Sequence, residues 1–586
     1  VRATALSAPV TVERDRLGTV TLRGSTRRDL SWALGFVHAQ ERFFQMDLLR
    51  RQAAGELAEL FGPVALPADR KARAHRMRAR AESELATLDA DMRAELDAYR
   101  NGVNDGLAAL SVRPMAYLLM RSKPAPWRSE DTLLVVDAMA FTLNDSENQR
   151  ELALSKMHAA LPESAYRFLT AGGGIWDAPI EGSALASPAP PTAQDLDLRN
   201  PSTAPRTNQI STAIRSDATS RPHQVEQAPE AGSNSFAVSG ALTGGAALLA
   251  NDMHLTLRVP NIWFRTRLVY PDARHAGKTI DITGASLPGT PVIVVGSNRH
   301  VAWGFTNSYI DSVDWVRIRI DAADATRYRT PDGWRPLAIH RETIRVHGAA
   351  DEVLRVRDTR WGPILATDTD GTPLALAWTA QQPGAVNLEL QRLELAQTSG
   401  EAVAIAQRAG IPAQNFLVAD RDGHVAWTLA GRIAKRLGSA DPELPADWSE
   451  PGSGWNGWLD PSEVPVVADP ADGRLWTANQ RVVGDPWLAQ LGDGGYDFGA
   501  RASQIRDDLR TWSHFEPANM LAIELDDRAL FLQHWKDLLD RELDRAPASA
   551  VHARMRRALG DWTGRASIDS VAYRLVRAWR DSVVDR

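Results

Sequence analysis

The chain has 586 residues and no cysteine, so disulfides, thiolate metal sites and cysteine nucleophiles are excluded. A hydrophobic fraction of 44% and a charged fraction of 24% are ordinary for a globular protein with a sizeable core. The net charge of -6, without a basic stripe interleaved with aromatic residues, argues against nucleic-acid binding. No apolar run has the length of a membrane-spanning helix, so we expect no membrane span.

The first part of the chain predicts a helical region. Residues 10–20 alternate in polarity and predict a strand. Residues 29–61 have apolar side chains at helical spacing and end at Gly62, and the charged, alanine-rich stretch 69–110 predicts further helices. Residues 132–143 are apolar enough to be buried. We therefore predict that residues 1–182 form a mostly helical unit.

The composition changes sharply after residue 182. Residues 183–231 are rich in Pro, Ala, Ser, Thr and Gln, which is typical of a linker or mobile loop. This stretch ends at Gly232-Ser233-Asn234, where strand-forming sequence begins. An ordinary turn is one interpretation of that tripeptide. The other, which we favour, is a scissile bond between Gly232 and Ser233, with residues 183–232 as a removable spacer.

Residues 233–586 show the alternating pattern of strands, followed by the periodic pattern of helices. This order predicts a layered α+β architecture with antiparallel sheets. Two Asp-rich segments, residues 368–371 and 420–423, resemble fragments of a calcium-binding loop, but they lack the remaining ligands and predict hairpin turns. A helical pattern covers residues 571–584 near the end of the chain.

An ordered set of motifs identifies a family. They are residues 35–46, 50–59, 232–234, 251–255, 288–291, 296–307, 414–416, 419–423, 461–465 and 478–481. Together they resemble the penicillin acylase family of N-terminal-nucleophile hydrolases over essentially the whole chain. The resemblance implies a four-layer αββα fold. The chain departs from the family at Ser297, where histidine is usual, and the family's β chain usually continues past Arg586, so we expect a C-terminal part to be missing.

The resemblance implies a self-cleaving precursor of an α and a β chain, with Ser233 as the N-terminal nucleophile. A free α-amine has a pKa of about 7.7 to 8.0, so it is suited to act as base for the hydroxyl of its own residue. By family position, the oxyanion donors are the backbone of Asn307 and the side chain of Asn415. His254 is expected to orient the amine or the leaving group. Arg436 matches a family arginine near the oxyanion asparagine, and Arg432 competes with it.

The resemblance also implies a structural calcium ion. Asp311, Asp314 and the Val313 carbonyl match the family's calcium loop and supply hard oxygen ligands. The family adds a glutamate from the α chain, for which Glu147 is the first candidate and Glu151 the second. No organic cofactor is expected.

The predicted substrate is a small N-acyl amide of the penicillin, cephalosporin or acyl-homoserine-lactone class. Family positions that line the acyl pocket hold mostly aliphatic side chains, which favours a linear acyl group. They are Met139, Leu143, Leu255, Val294, Val295 and Phe305. Two alternatives stay open: a deacylase of acylated peptides or lipopeptides, and an unprocessed protein that only binds acyl ligands. The family implies a periplasmic or secreted protein, and the residues from Val1 onward do not form a charged and apolar leader.

Overall fold

The computed structural model describes residues 6–195, 232–438 and 440–585. Most of the predicted spacer, residues 196–231, therefore lies outside the described residues, and the division into two chains stays a prediction. The first described segment is mostly helical, as predicted. Its helices are α1 (Arg27–Ala54), α2 (Ala58–Phe61), α3 (Leu66–Ala74), α4 (Met77–Thr87), α5 (Ala90–Ala108), α6 (Met115–Leu119), α7 (Ser129–Leu143), α8 (Gln149–Ala160) and α9 (Glu163–Thr170).

Local signals set the ends of α1, the longest of these helices. The Thr26 side chain accepts a hydrogen bond from the backbone of Asp29 and caps the first turn, and Gly55 ends the helix with φ of 65°. The helix therefore stops short of the predicted end at Gly62. Before α1, the single predicted strand is in fact a hairpin of two strands, β1 (Thr11–Arg14) and β2 (Val20–Arg23), because residues 15–19 turn.

The rest of the chain contributes most of the strands. They are β3 (Gly232–Val238), β4 (Leu248–His254), β5 (Phe264–Pro271), β6 (Thr279–Ser286), β7 (Ile293–Ser297), β8 (Val301–Asn307), β9 (Val313–Arg317), β10 (Arg327–Thr330), β11 (Gly333–Pro336), β12 (Ala338–Ile344), β13 (Glu352–Asp358), β14 (Ile364–Thr367), β15 (Pro373–Trp378), β16 (Gln414–Asp420), β17 (Val425–Ala430), β18 (Ala434–Leu437), β19 (Gly454–Trp458), β20 (Val466–Ala468) and β21 (Arg474–Thr477).

Helices return between and after these strands. They are α10 (Gly240–Thr243), α11 (Ser399–Ala406), α12 (Trp487–Leu491), α13 (Ala500–Leu509), α14 (Pro517–Glu524), α15 (Leu530–Arg545), α16 (Ala550–Leu559) and α17 (Val571–Val584). The Asp-rich segments that resembled calcium loops join β14 to β15 and β16 to β17, so the prediction of hairpin turns is confirmed. No helix in the described ranges is long and apolar enough to cross a membrane.

Two stacked sheets lie between two layers of helices. The larger sheet has the order β1-β2-β5-β6-β7-β8-β16-β17-β20, and the smaller has the order β21-β3-β4. One apolar core joins α1, α5 and α7 to the larger sheet, a second joins the two sheets, and a third joins the smaller sheet to α13 and α14. This order confirms the predicted four-layer αββα fold of the α+β class. The strand pairs are antiparallel except β2 with β5, among the strands that the structure describes.

Strand register positions the site in the smaller sheet. β3 runs between β4 and β21, with Ser233 opposite Met253 and Ser235 opposite Thr477. In the larger sheet, β8 pairs with β16, and Asn307 lies opposite Gln414. Because β3 also packs on β8 across the two sheets, the end of β8 meets the start of β3.

Candidate active site

Ser233 lies at the start of β3 and is only 5% exposed. Its hydroxyl oxygen accepts from the backbone N–H of Asn307 at 3.3 Å and from Nδ2 of Asn479 at 3.2 Å. Its backbone nitrogen donates to Oδ1 of the same Asn479 at 2.8 Å. One asparagine side chain therefore holds both the hydroxyl and the backbone nitrogen of Ser233, and the predicted Asn307 backbone lies beside that hydroxyl.

Register explains why Asn479 reaches Ser233. Thr477, the last residue of β21, pairs with Ser235, and two residues after the strand ends the chain is level with Ser233. Asn479 has φ of 73°, a left-handed conformation that asparagine tolerates better than most residues. Its Nδ2 also donates to the Asn307 carbonyl at 2.9 Å, which ties it to β8. Residues 478–481 belong to one of the family motifs, but the sequence predicted no role for Asn479.

Arg501 is the second contact that sequence reasoning missed. From the first turn of α13, its NH1 donates to the Ser233 carbonyl and to Oδ1 of Asn234, each at 2.8 Å. Its NH2 donates to Oδ1 of Asn479 at 2.9 Å and to Asp497 at 2.6 Å. The guanidinium therefore fixes the asparagine and the serine relative to each other.

The side chain of Asn415, the predicted oxyanion donor, is hydrogen-bonded within the sheets in this structure, and its role stays a prediction. Asn415 pairs with Thr306 in the larger sheet, and its Nδ2 donates to the Thr306 hydroxyl at 3.0 Å and to the Asn307 carbonyl at 3.4 Å. Its Oδ1 accepts from Trp427 at 3.1 Å. The amide is thus occupied within the sheets and makes no hydrogen bond to Ser233.

Neither arginine proposed for the site approaches Ser233. Arg436 forms ion pairs with Asp314 at 2.6 Å and Asp311 at 2.8 Å, because β18 directs it toward the loop before β9. Arg432 lies over the ring of Trp458, with 5.6 Å between the guanidinium carbon and the ring centroid. The arginine at the candidate site is Arg501 instead.

His254 lies where strand pairing brings it next to the predicted scissile glycine. Gly232 and His254 are register partners, and a Cβ placed on Gly232 would lie 3.2 Å from Nδ1 of His254. The other ring nitrogen, Nε2, contacts Oδ2 of Asp252 at 2.8 Å. The imidazole therefore faces the residue before Ser233, on the opposite side of β3 from the Ser233 hydroxyl.

An apolar cavity of about 130 Å³ opens at Ser233. Five of the six predicted pocket residues line it, namely Met139, Leu143, Leu255, Val294 and Phe305. Val295 does not, because successive side chains of β7 point to opposite faces and Val294 takes the cavity side. Further lining comes from α7 and from loops that follow Ser233 in the chain, including Leu133, Val136, Trp263, Val292 and Ile411.

A second cavity, which we name the carboxylate pocket, lies beside the loop that precedes β9. Its lining includes Glu151, Asp311, Val313, Glu443 and Asp493. Burial, followed by repulsion from Asp314 and Asp311, raises the pKa of Glu151 well above its usual range, and burial with the charge of Asp314 does the same for Asp311. The acidic side chains of this pocket offer carboxylate oxygens, which are the kind of ligand that calcium prefers.

Glu147, the first candidate for the α-chain ligand, does not face this pocket. It precedes α8, is 42% exposed at its side chain and pairs with Lys71 at 2.6 Å. Glu151 is buried there, and its Oε1 has no hydrogen-bond partner among the residues that the structure describes. However, the guanidinium of Arg436 bridges Asp311 and Asp314, and no three acidic, His or Cys side chains in the described ranges converge tightly enough to hold a metal ion.

The four-layer order of helices and sheets is that of the N-terminal-nucleophile hydrolases. The chain belongs to the penicillin amidase family, whose sequence model matches residues 9–586. It is 29% identical over 486 residues to the penicillin acylase 2 proenzyme of Pseudomonas sp. (strain SE83), covering 82% of this chain and 59% of the relative. It is 27% identical over 552 residues to the acyl-homoserine lactone acylase QuiP of Pseudomonas aeruginosa, covering 91% of this chain and 62% of the relative.

A solved structure is also similar. The thermostable penicillin G acylase from Alcaligenes faecalis in its orthorhombic form has a TM-score of 0.47 and 19% sequence identity, covering 57% of this chain and 59% of that chain. This chain thus spans about three fifths of the length of the curated relatives it matches, 59% of one and 62% of the other.

Proposed function

We propose that this protein is an autoprocessed amidase in which Ser233, freed by cleavage after Gly232, hydrolyses an N-acyl amide. One observation carries the proposal: the Ser233 hydroxyl and backbone nitrogen are both held by Asn479 at the mouth of an apolar cavity. The relative named a proenzyme supports the cleavage, and the relatives named acylases support the hydrolysis of an N-acyl amide.

Maturation begins when the Ser233 hydroxyl oxygen attacks the carbonyl carbon of Gly232. The C–N bond breaks, the hydroxyl proton passes to the departing nitrogen, and an ester joins the two residues. Water then hydrolyses the ester, which releases the Gly232 carboxylate and restores the hydroxyl. A Cβ at Gly232 would lie 3.2 Å from both Arg501 and His254, so glycine suits this crowded position.

In turnover, the new α-amine accepts the hydroxyl proton, directly or through a water molecule, as Ser233 attacks the substrate carbonyl. The oxyanion develops on the substrate carbonyl oxygen, which is bonded to the same carbon as the attacking oxygen, so the donors must reach a position next to the Ser233 hydroxyl. We assign these to the Asn307 backbone N–H and the Asn479 Nδ2, which already lie 3.3 and 3.2 Å from the hydroxyl oxygen. Arg501 holds Asn479 in place. Water then releases the acid from the acyl-enzyme.

The first prediction concerns maturation. The full chain should yield a β chain that starts at Ser233, whereas Ser233→Ala should remain one inactive chain, because both the attack and the later base depend on this residue. Intact mass and N-terminal sequencing measure the outcome. Ser235→Ala is the matched control and should still mature, because its hydroxyl bonds the Ala250 carbonyl instead. Separation of Ser233→Ala at Gly232 would falsify self-cleavage by Ser233.

The second prediction separates the two candidate asparagines. Asn479→Ala should lower kcat by about 10² to 10³, the usual loss for one oxyanion donor. Asn415→Ala should lose less than about tenfold, since its amide bonds within the sheets. The α and β chains should be expressed separately and assembled, so that turnover is measured without the need for self-cleavage. Near-normal turnover by Asn479→Ala would remove it from the mechanism.

The cavity walls support a linear acyl group. They are largely aliphatic, with Trp263, Phe305 and Tyr309 as the aromatic rings that line the cavity in the described ranges. Burial of each methylene contributes about 0.8 kcal/mol, which corresponds to about fourfold in binding. A flexible chain follows such walls more closely than a flat aromatic group does.

The third prediction is therefore a chain-length dependence. In a series of p-nitroanilides from acetyl to decanoyl, kcat/KM should rise over at least the first few carbons, and the phenylacetyl amide should be a poorer substrate. Val136→Phe narrows the cavity and should reduce activity on decanoyl more than on acetyl amides. A clear optimum at phenylacetyl would rule out the aliphatic preference while leaving the amidase assignment intact.

We further propose that calcium binds in the carboxylate pocket and stabilises the fold without taking part in the chemistry. The oxygen-only character of Glu151, Asp311, Asp314 and the Val313 carbonyl supports this, as does the unpartnered Oε1 of Glu151. Arg436 now neutralises Asp311 and Asp314. To bind calcium, the carboxylates would therefore have to move closer to one another around the ion.

The fourth prediction tests that ion. Calcium should raise the melting temperature, and chelation should reverse the rise, since a ligand at 100 times its Kd adds about 2.7 kcal/mol to the free energy of unfolding. Glu151→Gln should reduce the calcium shift, whereas Glu147→Gln, a matched change at the exposed residue, should leave it unchanged. Equal melting of the wild-type protein with calcium and with chelator would exclude the site.

The partners that we propose are a small N-acyl substrate and the α and β chains of one precursor. A periplasmic or secreted location stays a prediction from the family.

A further inference from the structure

A second group of titratable side chains lies on the face of β3 opposite the Ser233 hydroxyl. Strand pairing places His254 beside Gly232 and Asp252 beside Asn234. His254 and Asp252 are in contact at 2.8 Å through Nε2 and Oδ2. When Nε2 carries the proton and donates to Asp252, Nδ1 is left as an acceptor that faces Gly232.

Glu524, the last residue of α14, brings a second carboxyl group to Asp252. α14 packs on β4, and the Glu524 carboxyl is within hydrogen-bonding reach of Asp252. Oδ1 of Asp252 and both carboxyl oxygens of Glu524 are shielded from solvent, and none of them has a donor among the residues described. Two ionised carboxylates in this position would repel each other, whereas one shared proton would satisfy both.

The surroundings place that proton on Glu524. Burial, and then the nearby charge of Asp252, raise the pKa of Glu524 to about 8. Burial alone would raise the pKa of Asp252 too, but hydrogen bonding to His254 outweighs it and lowers the pKa of Asp252. At neutral pH the pair is therefore a neutral Glu524 beside an ionised Asp252.

The other charged groups on the neighbouring elements have their own partners. Arg501 pairs with Asp497 at 2.6 Å and Arg506 with Asp507 at 2.8 Å. After α14, Arg528 pairs with Asp526 at 2.8 Å and with Asp508. Asp252 is thus the charged group that acts on Glu524.

We propose that Glu524 is a positioning residue for cleavage of the Gly232–Ser233 bond: its protonated carboxyl donates to Asp252, which in turn orients His254 against the scissile glycine. This inference rests on the proposed self-cleavage. In the step described above, the hydroxyl proton must travel to the departing nitrogen of Ser233. The imidazole lies on the face of β3 opposite the hydroxyl and takes no part in that transfer. Its contact with Gly232 instead holds the scissile peptide in place while the hydroxyl attacks.

The test is the rate of precursor cleavage between pH 6 and pH 10, followed by mass spectrometry on freshly purified full chain. Cleavage by the wild-type chain should slow above pH about 8, where Glu524 loses the proton that it donates. Glu524→Gln keeps an N–H donor that does not titrate, so it should cleave at the wild-type rate near pH 7 and should not slow in this way. Glu524→Leu should cleave roughly tenfold or more slowly at every pH, because the donor is lost.

Two controls separate positioning from folding. Glu516→Gln, at the exposed start of the same helix, should leave the pH profile unchanged, and all variants should melt as cooperatively as the wild-type chain. A Glu524→Gln profile identical to wild type above pH 8, or a Glu524→Leu chain that matures at the wild-type rate, would overturn the inference while self-cleavage stands. A wild-type chain that never separates at Gly232 would overturn the proposed function, and the inference with it.

Discussion

The hydrogen bond between the Ser233 backbone nitrogen and Oδ1 of Asn479 is the contact on which the candidate site depends. It joins residues 246 positions apart, and strand pairing makes it possible: β21 and β4 flank β3 in one sheet. Because the same amide group also contacts the Ser233 hydroxyl and the Asn307 carbonyl, it ties the smaller sheet to the larger one at this point. The two sheets therefore cannot shift against each other without disturbing the serine.

Buried carboxylates are stabilised in two ways in this protein. In the helical layer, Asp47 is fully buried and is neutralised by Arg50 at 2.6 Å and Arg51 at 3.0 Å, and Arg436 neutralises Asp311 and Asp314 in a similar manner. Removal of one member of such a pair leaves an uncompensated charge, so these arginines are part of the fold. The Asp252 and Glu524 pair is of the other kind, since a proton takes the place of the arginine.

The sequence predicted the elements better than their contacts. Helix α17 occupies residues 571–584 as expected, because its apolar spacing is unambiguous. The structure also brings the Asn307 backbone N–H next to the Ser233 hydroxyl, and the roles of both residues stay predictions. Asn479 was missed because the choice between two asparagines depends on which strand pairs with β3, and that pairing is not encoded in local spacing. Val295 was assigned to the wrong face for a similar reason, since only the register of β7 shows which neighbour points inward.

The exposed position of Glu147 has a local cause. α8 starts at Gln149, after Asn148 with φ of 43°, so Glu147 lies outside the helix and turns toward Lys71. Glu151, two residues into the helix, turns inward. A shift of a few residues in a predicted helix start is enough to exchange an exposed carboxylate for a buried one.

The parallel pairing of β2 with β5 would affect how a protein cleaved at the proposed bond survives denaturation. β2 precedes the proposed cleavage point and β5 follows it, so a strand from one chain is part of the other chain's sheet, and a common core surrounds both. While the chain is continuous, formation of this pair closes a loop, and the cost in entropy grows only slowly with loop length. After cleavage, formation of the same strand pair requires two separate chains to associate. Refolding would then depend on concentration, and the lifetime of the folded protein would be set by its rate of unfolding rather than by an equilibrium.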